Sequence, residues 1–228
     1  MRIFIILFMA LSVSACIKPQ TGNRPSKLMD KTYLALGDSY TVGEAVRQEE
    51  SFPYQLVAQL NLNGVNTRKP KIIAYTGWTT RDLISAINQK KITAKYDFVT
   101  LLIGVNNQYM KYPHEVYRKE FTELLNTAIS HSKGGKTAVF LISIPDWGVT
   151  DFGKLKNPKV VTIEIDKFNA INKEEASNAG VHYIDITPDS RLAVNDTTLI
   201  SIDGLHPSGK MYAEWVKQLL PLVRRELY

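Results

Sequence analysis

The sequence predicts an α/β fold class: a three-layer α/β/α domain built on a five-stranded parallel sheet. Two observations point to it. Five short, nearly continuous apolar runs recur along the chain, and a stretch with helical apolar spacing lies between most of them. Strands that are apolar on both faces need cover on both faces, and helices between them supply that cover through crossover connections.

Taken in order, residues 1–15 stand apart from the fold. Arg2 precedes the apolar run Ile3 to Leu11, which is too short to span a bilayer comfortably, and Val13-Ser14-Ala15 leads into Cys16, the chain's only cysteine. This pattern resembles a bacterial lipoprotein signal, with Cys16 as the lipidated new N-terminus. An ordinary secretory leader with a chance cysteine is the alternative. A lone cysteine excludes an intramolecular disulfide. Residues 16–30 are polar, with Pro19, Gly22 and Pro25, and read as a tether to a domain at 31–228. The expected product is lipid-anchored in the cell envelope, facing the periplasm or the outside.

Within the domain, Thr32 to Leu36 is the first strand. Phe52 to Leu62 is a helix, with Phe52, Leu56, Val57 and Leu60 on one face and Pro53 in its first turn. Lys71 to Tyr75 is the second strand, and Thr80 to Lys90 a helix carrying Leu83, Ile84 and Ile87. Phe98 to Ile103 is the third and most hydrophobic strand. His114 to Ser132 is a long helix closed by Gly134-Gly135. Thr137 to Ile142 is the fourth strand, Thr162 to Ala179 a helix stopped by Gly180, Val181 to Ile186 the fifth strand, and Ser208 to Glu226 the last helix.

A length of 228 residues suits one such domain, with 44% hydrophobic and 22% charged residues. The net charge of +6 is spread without a basic run, so a solvated surface explains it and no nucleic-acid partner is expected. No histidine pair has helical metal-ligand spacing and there is no cysteine cluster, so neither a metal nor a cofactor is expected. A monomer is expected.

In a parallel sheet the loops beyond the carboxyl ends of the strands share one edge. Gly37-Asp38-Ser39, Thr76-Gly77-Trp78 and Gly104-Val105-Asn106 each follow a strand directly, and Asp203-Gly204-Leu205-His206-Pro207 lies in the loop after the last one. Ser39, Asp203 and His206 are the three groups needed to make a hydroxyl nucleophilic: His206 as base and Asp203 as the acid that fixes its tautomer. A developing oxyanion could be held by the Ser39 and Gly77 N–H groups and the Asn106 amide. Each residue also has a structural alternative. Ser39 could cap a helix, Asp203-Gly204 could simply turn the chain, Gly77 could serve a positive φ, and Asn106 could bond its own loop. Asp38 is read as bonding its own loop. Trp78, Tyr109, Tyr112 and Trp147 fall in loops near this edge, where they could line a substrate groove or pack those loops. Gly134-Gly135-Lys136-Thr137 precedes a strand and lacks the first glycine of a phosphate-binding loop, so it is read as a helix-ending turn.

These segments resemble, in order, the sequence blocks of the SGNH (GDSL-type) serine hydrolases. Gly37-Asp38-Ser39 matches the first block, Gly77 the second, Gly104-Val105-Asn106 the third, and Asp203 to Pro207 the last. The resemblance implies a flavodoxin-like sheet, Ser39 as nucleophile and first oxyanion donor, and Gly77 and Asn106 as further donors. It also implies Asp203 and His206 as acid and base, and an acyl-ester substrate: an acylated carbohydrate, a lysophospholipid or a simple ester. Two positions depart from the pattern. Tyr40 stands where Leu or Ile is usual, and Asn107 where Asp is usual. An acyltransferase using the same site, or a non-catalytic envelope glycan-binding lipoprotein, are the competing expectations.

Overall fold

The computed structural model describes residues 30–228. The leader at 1–15, Cys16 and all but the last residue of the tether lie outside them. In chain order the main elements are β1 (Tyr33–Gly37), α1 (Ser39–Val42), α2 (Phe52–Leu62), β2 (Lys71–Ala74) and α3 (Thr80–Lys90). These are followed by β3 (Phe98–Leu102), α4 (Val105–Tyr109), α5 (His114–His131), β4 (Val139–Ile142) and α6 (Asp151–Lys154). The chain ends with α7 (Pro158–Ala179), β5 (His182–Ile184), α8 (Thr187–Arg191) and α9 (Gly209–Leu227).

The sheet is parallel throughout, in the order β2-β1-β3-β4-β5. Every residue of β1, β3 and β4 is buried, whereas the edge strands β2 and β5 are partly open. That matches the near-absence of polar side chains in the three inner runs. Helices α2 and α9 pack together, as do α3 with α5 and α5 with α7. With right-handed crossovers these sets form the two outer layers. The strand order reverses direction between β1 and β3, so a crevice opens there beyond their carboxyl ends.

The differences from the expected elements lie at their ends. Residues Gly135–Ala138 form a 3₁₀ turn, with the Thr137 hydroxyl bonded to the Gly134 carbonyl, so β4 starts at Val139. Helix α7 begins four residues before Thr162, because the Asn157 side chain caps it and Pro158 fits its first turn. β5 stops at Ile184, after which the backbone N–H groups of Ile186 and Thr187 turn to the Ser143 hydroxyl.

Candidate active site

Ser39 is the first residue of α1, immediately beyond β1. Asp38 caps that helix, its carboxylate accepting the Tyr40 N–H at 3.1 Å. The Ser39 N–H is therefore one of the first-turn donors with no intrahelical partner. Gly37 makes the turn possible: a Cβ there would stand 2.1 Å from the Thr41 hydroxyl and 2.3 Å from the Leu102 carbonyl. The nucleophile candidate can thus leave the sheet directly against β3.

His206 arrives from the loop before α9. Its Nε2 lies 3.1 Å from Ser39 Oγ and its Nδ1 2.6 Å from Asp203 Oδ2. The other Asp203 oxygen accepts the N–H of His206 at 2.9 Å, the N–H of Leu205 at 3.0 Å and the Ser201 hydroxyl at 2.7 Å. Burial pushes the Asp203 carboxyl up, but the His206 side chain and these donors outweigh it and hold the group at about 2. Asp203 is therefore a carboxylate at any ordinary pH. The Tyr40 ring meets the imidazole edge-on, with centroids 5.8 Å apart.

Asn106 lies in the first turn of α4 and shares with Ser39 and His206 a cavity of about 250 Å³. Its Nδ2 donates to the Trp78 carbonyl at 2.9 Å, which leaves the second amide hydrogen free. Gly77 occupies the turn closed by the Trp78 N–H to the Tyr75 carbonyl, with φ +84. A Cβ there would meet nothing within 4 Å, so conformation and not crowding selects glycine. The loop is held from both sides: Asn106 binds Trp78, and the Thr76 hydroxyl donates to Glu44.

The Asn107 departure has a physical reason. Its Oδ1 accepts the Thr80 N–H at 3.0 Å, and its Nδ2 donates to the Thr80 hydroxyl at 2.7 Å. That hydroxyl gives its single proton to Glu120 at 2.5 Å, and Glu120 in turn pairs with Arg81 at 2.8 Å. An aspartate at 107 would leave two carboxylates competing for one hydroxyl proton, so the amide completes the chain. Fully buried Asn107 thereby ties α4, and Asn106 with it, to the start of α3.

Of the four aromatic residues singled out in the sequence, Tyr109 and Trp147 line the cavity beside Ser39. Tyr112 lines an adjoining cleft, and Trp78 packs against Tyr75 outside both. Further walls come from Tyr40, Val105, Phe152 and Leu205. Phe152 sits in a four-residue helix with no periodic signal. Leu205 could have been read from its place between Asp203 and His206.

Asp38 is fully buried, and burial raises its carboxyl to about 7 against weaker pulls from backbone N–H groups. Between its ordinary value of 3.8 and about 7, the folded chain keeps a proton that the unfolded chain has released. Stability therefore falls as pH rises through this window. Asp38→Asn should flatten the dependence. Its stability relative to the parent should improve on the order of 2 kcal/mol between pH 5 and pH 8, read from urea midpoints. Parallel curves for the two proteins would remove Asp38 as the source.

A parallel α/β sheet with serine, histidine and aspartate in line at its carboxyl edge is the architecture of a serine hydrolase. The chain belongs to the GDSL-like lipase/acylhydrolase family, whose sequence model matches residues 35–214. No curated protein matches the chain. Solved structures do. TesA superposes with a TM-score of 0.67 at 15% identity, covering 86% of this chain and 100% of that one. A lipolytic G-D-S-L family member from Veillonella parvula gives 0.68 at 16%, covering 85% and 98%. Axe2, an acetylxylan esterase from Geobacillus stearothermophilus, gives 0.62 at 17%, covering 86% and 94%. At such identities the likeness is one of fold.

Proposed function

We propose that the protein hydrolyses acyl esters through an acyl-enzyme on Ser39. His206 Nε2 takes the Ser39 proton as Oγ attacks the ester carbonyl. The Ser39 and Gly77 N–H groups and Asn106 Nδ2 receive the oxyanion, while Asp203 steadies the imidazolium. His206 then protonates the leaving alcohol and activates the water that releases the acid. The observation that carries this reading is the line from Asp203 Oδ2 through His206 at 2.6 Å and 3.1 Å to Ser39 Oγ.

Acylated carbohydrates, lysophospholipids and simple acyl esters are the substrate classes to test. Axe2's activity on acetylxylan is a reason to include acetylated glycans. A lipid anchor on Cys16 and an envelope location are part of the proposal and rest on the residue pattern of the leader. The chain enters the domain at Lys31, before β1, and Ser39 lies beyond the far end of that strand. An anchored domain would then turn its catalytic edge away from its attachment point.

A serine-directed fluorophosphonate tests the reading. Label is expected on the parent protein and absent from Ser39→Ala, with turnover of a short-chain ester lost in parallel. Labelling that survives the substitution, or a parent that neither labels nor turns over esters, would sink it.

A further inference from the structure

A cleft of about 740 Å³ adjoins the catalytic cavity, and the two share the walls Tyr109 and Trp147. Trp147 is fixed by its indole N–H to Gln108 at 2.8 Å, and Tyr109 meets its ring edge-on at 5.7 Å. Trp147 is thus the buried, hydrogen-bonded half of the shared wall, and Tyr109 the half-exposed one. The cleft therefore lies directly beside the place where an ester would meet Ser39.

The charges in that cleft are unequal. Lys111 and Lys156 both line it, and among the described residues neither has a carboxylate within 4 Å. The one carboxylate in the lining, Glu164, is already held by Lys167 at 2.6 Å and by His114 at 3.5 Å. Lys156 Nζ stands 5.8 Å over the ring of Phe152, and Phe152 is itself a wall of the catalytic cavity. Lys111 adopts φ +58, in the left-handed region that side-chain-bearing residues rarely enter. The N–H of Lys111 to the Gln108 carbonyl and that of Tyr112 to the Asn107 carbonyl hold it there at the end of α4, where Lys111 lines the cleft.

We propose that this cleft is a subsite for an anionic group, phosphate or carboxylate, on the part of the ester substrate remote from the scissile bond. The shared aromatic wall orients the substrate, and Lys111 and Lys156 supply the charge. This deepens the esterase reading and rests on Ser39 as nucleophile. Lysophospholipid headgroups and acidic acylated sugars share the required chemistry.

The test compares a monoacyl glycerophosphate with its monoacylglycerol, and an acetylated uronic acid with its neutral hexose counterpart. For at least one pair the anionic ester is expected to have a kcat/KM about tenfold higher, mainly through KM. The preference should fade as salt rises from about 0.01 M to about 1 M and the screening length shrinks from about 30 Å to about 3 Å. Changing both Lys111→Ala and Lys156→Ala should bring the anionic-to-neutral ratio near one, while arginine at both positions should keep it. Which pair shows the preference identifies the source of the anion. A ratio near one for both pairs in the parent, or a preference untouched by the double alanine change, overturns the proposal. Calorimetric titration of glycerol phosphate and galacturonate into Ser39→Ala separates the two readings. Lysine-dependent binding would uphold the subsite even if no ester is turned over, and its absence would count against the subsite while leaving Ser39 untouched.

Discussion

Replacing Asp203 by asparagine is expected to lower kcat about 10⁴-fold with the fold intact. The argument is one of proton placement. Oδ1 of Asp203 accepts three donors, from Ser201, Leu205 and His206, so the amide oxygen of an asparagine is drawn to that position. The amide nitrogen then falls where Oδ2 stands, 2.6 Å from His206 Nδ1. It can only donate there, which leaves Nδ1 as the acceptor and puts the ring hydrogen on Nε2. Nε2 faces Ser39 Oγ at 3.1 Å and, carrying a hydrogen, cannot take the serine proton. Steady-state kinetics at neutral pH check this. A loss below about tenfold would mean that the carboxylate does not set the tautomer. The parent's carboxylate is not a variable in that comparison. With its folded value at about 2, Asp203 stabilises the fold fully above its ordinary 3.8, and that contribution is lost only as pH falls through about 2.

The loop that presents Asp203 and His206 was legible because a single physical rule covers it. In a parallel sheet every strand ends on the same edge, so segments 167 residues apart can be assigned to one crevice before any contact is known. The strands themselves were legible where both faces are buried, as in Val99-Thr100-Leu101-Leu102, whose run has no helical spacing to confuse it. Short pieces were not. α1, α4 and α6 have only four or five residues, fewer than a hydrophobic period needs to declare itself. Their side chains nonetheless build the site: Asn106 faces the cavity, and its neighbour Asn107 faces α3. The value of an amide at 107 depends on Thr80 and Glu120, one 27 residues away and the other bonded through it. Adjacent sequence carries no trace of that dependence. Phe152 was hidden for the same reason, since only the folding back of the segment after β4 brings it to Tyr109 and Trp147.

Trp215 is where stability and chemistry meet, and truncating it should cost both. The side chain is fully buried on α9, against Tyr212 at 4.9 Å, Phe52 at 6.3 Å and Tyr40 at 6.5 Å between ring centroids. Tyr40 directly follows the nucleophile candidate and touches His206 with its ring. Trp215→Ala is expected to destabilise by about 3 to 5 kcal/mol, from lost burial and a cavity that the surrounding rings cannot fill. It should also lower kcat by about 10² in the fraction that folds, because Tyr40 gains room and His206 loses its support. Trp215→Phe is expected to behave differently. The indole Nε1 is buried with no hydrogen-bond partner among the described residues. A phenyl ring keeps most of the packing and removes that unmet donor, whose burial costs about 1 to 3 kcal/mol. The two changes oppose each other, so the net loss should stay below about 1.5 kcal/mol, with kcat nearly retained. Urea unfolding and steady-state kinetics on both variants decide the matter. Equal losses in the two would show that the indole nitrogen is not idle, whereas a stable Trp215→Ala with normal kcat would show that Tyr40 and His206 hold their places without α9.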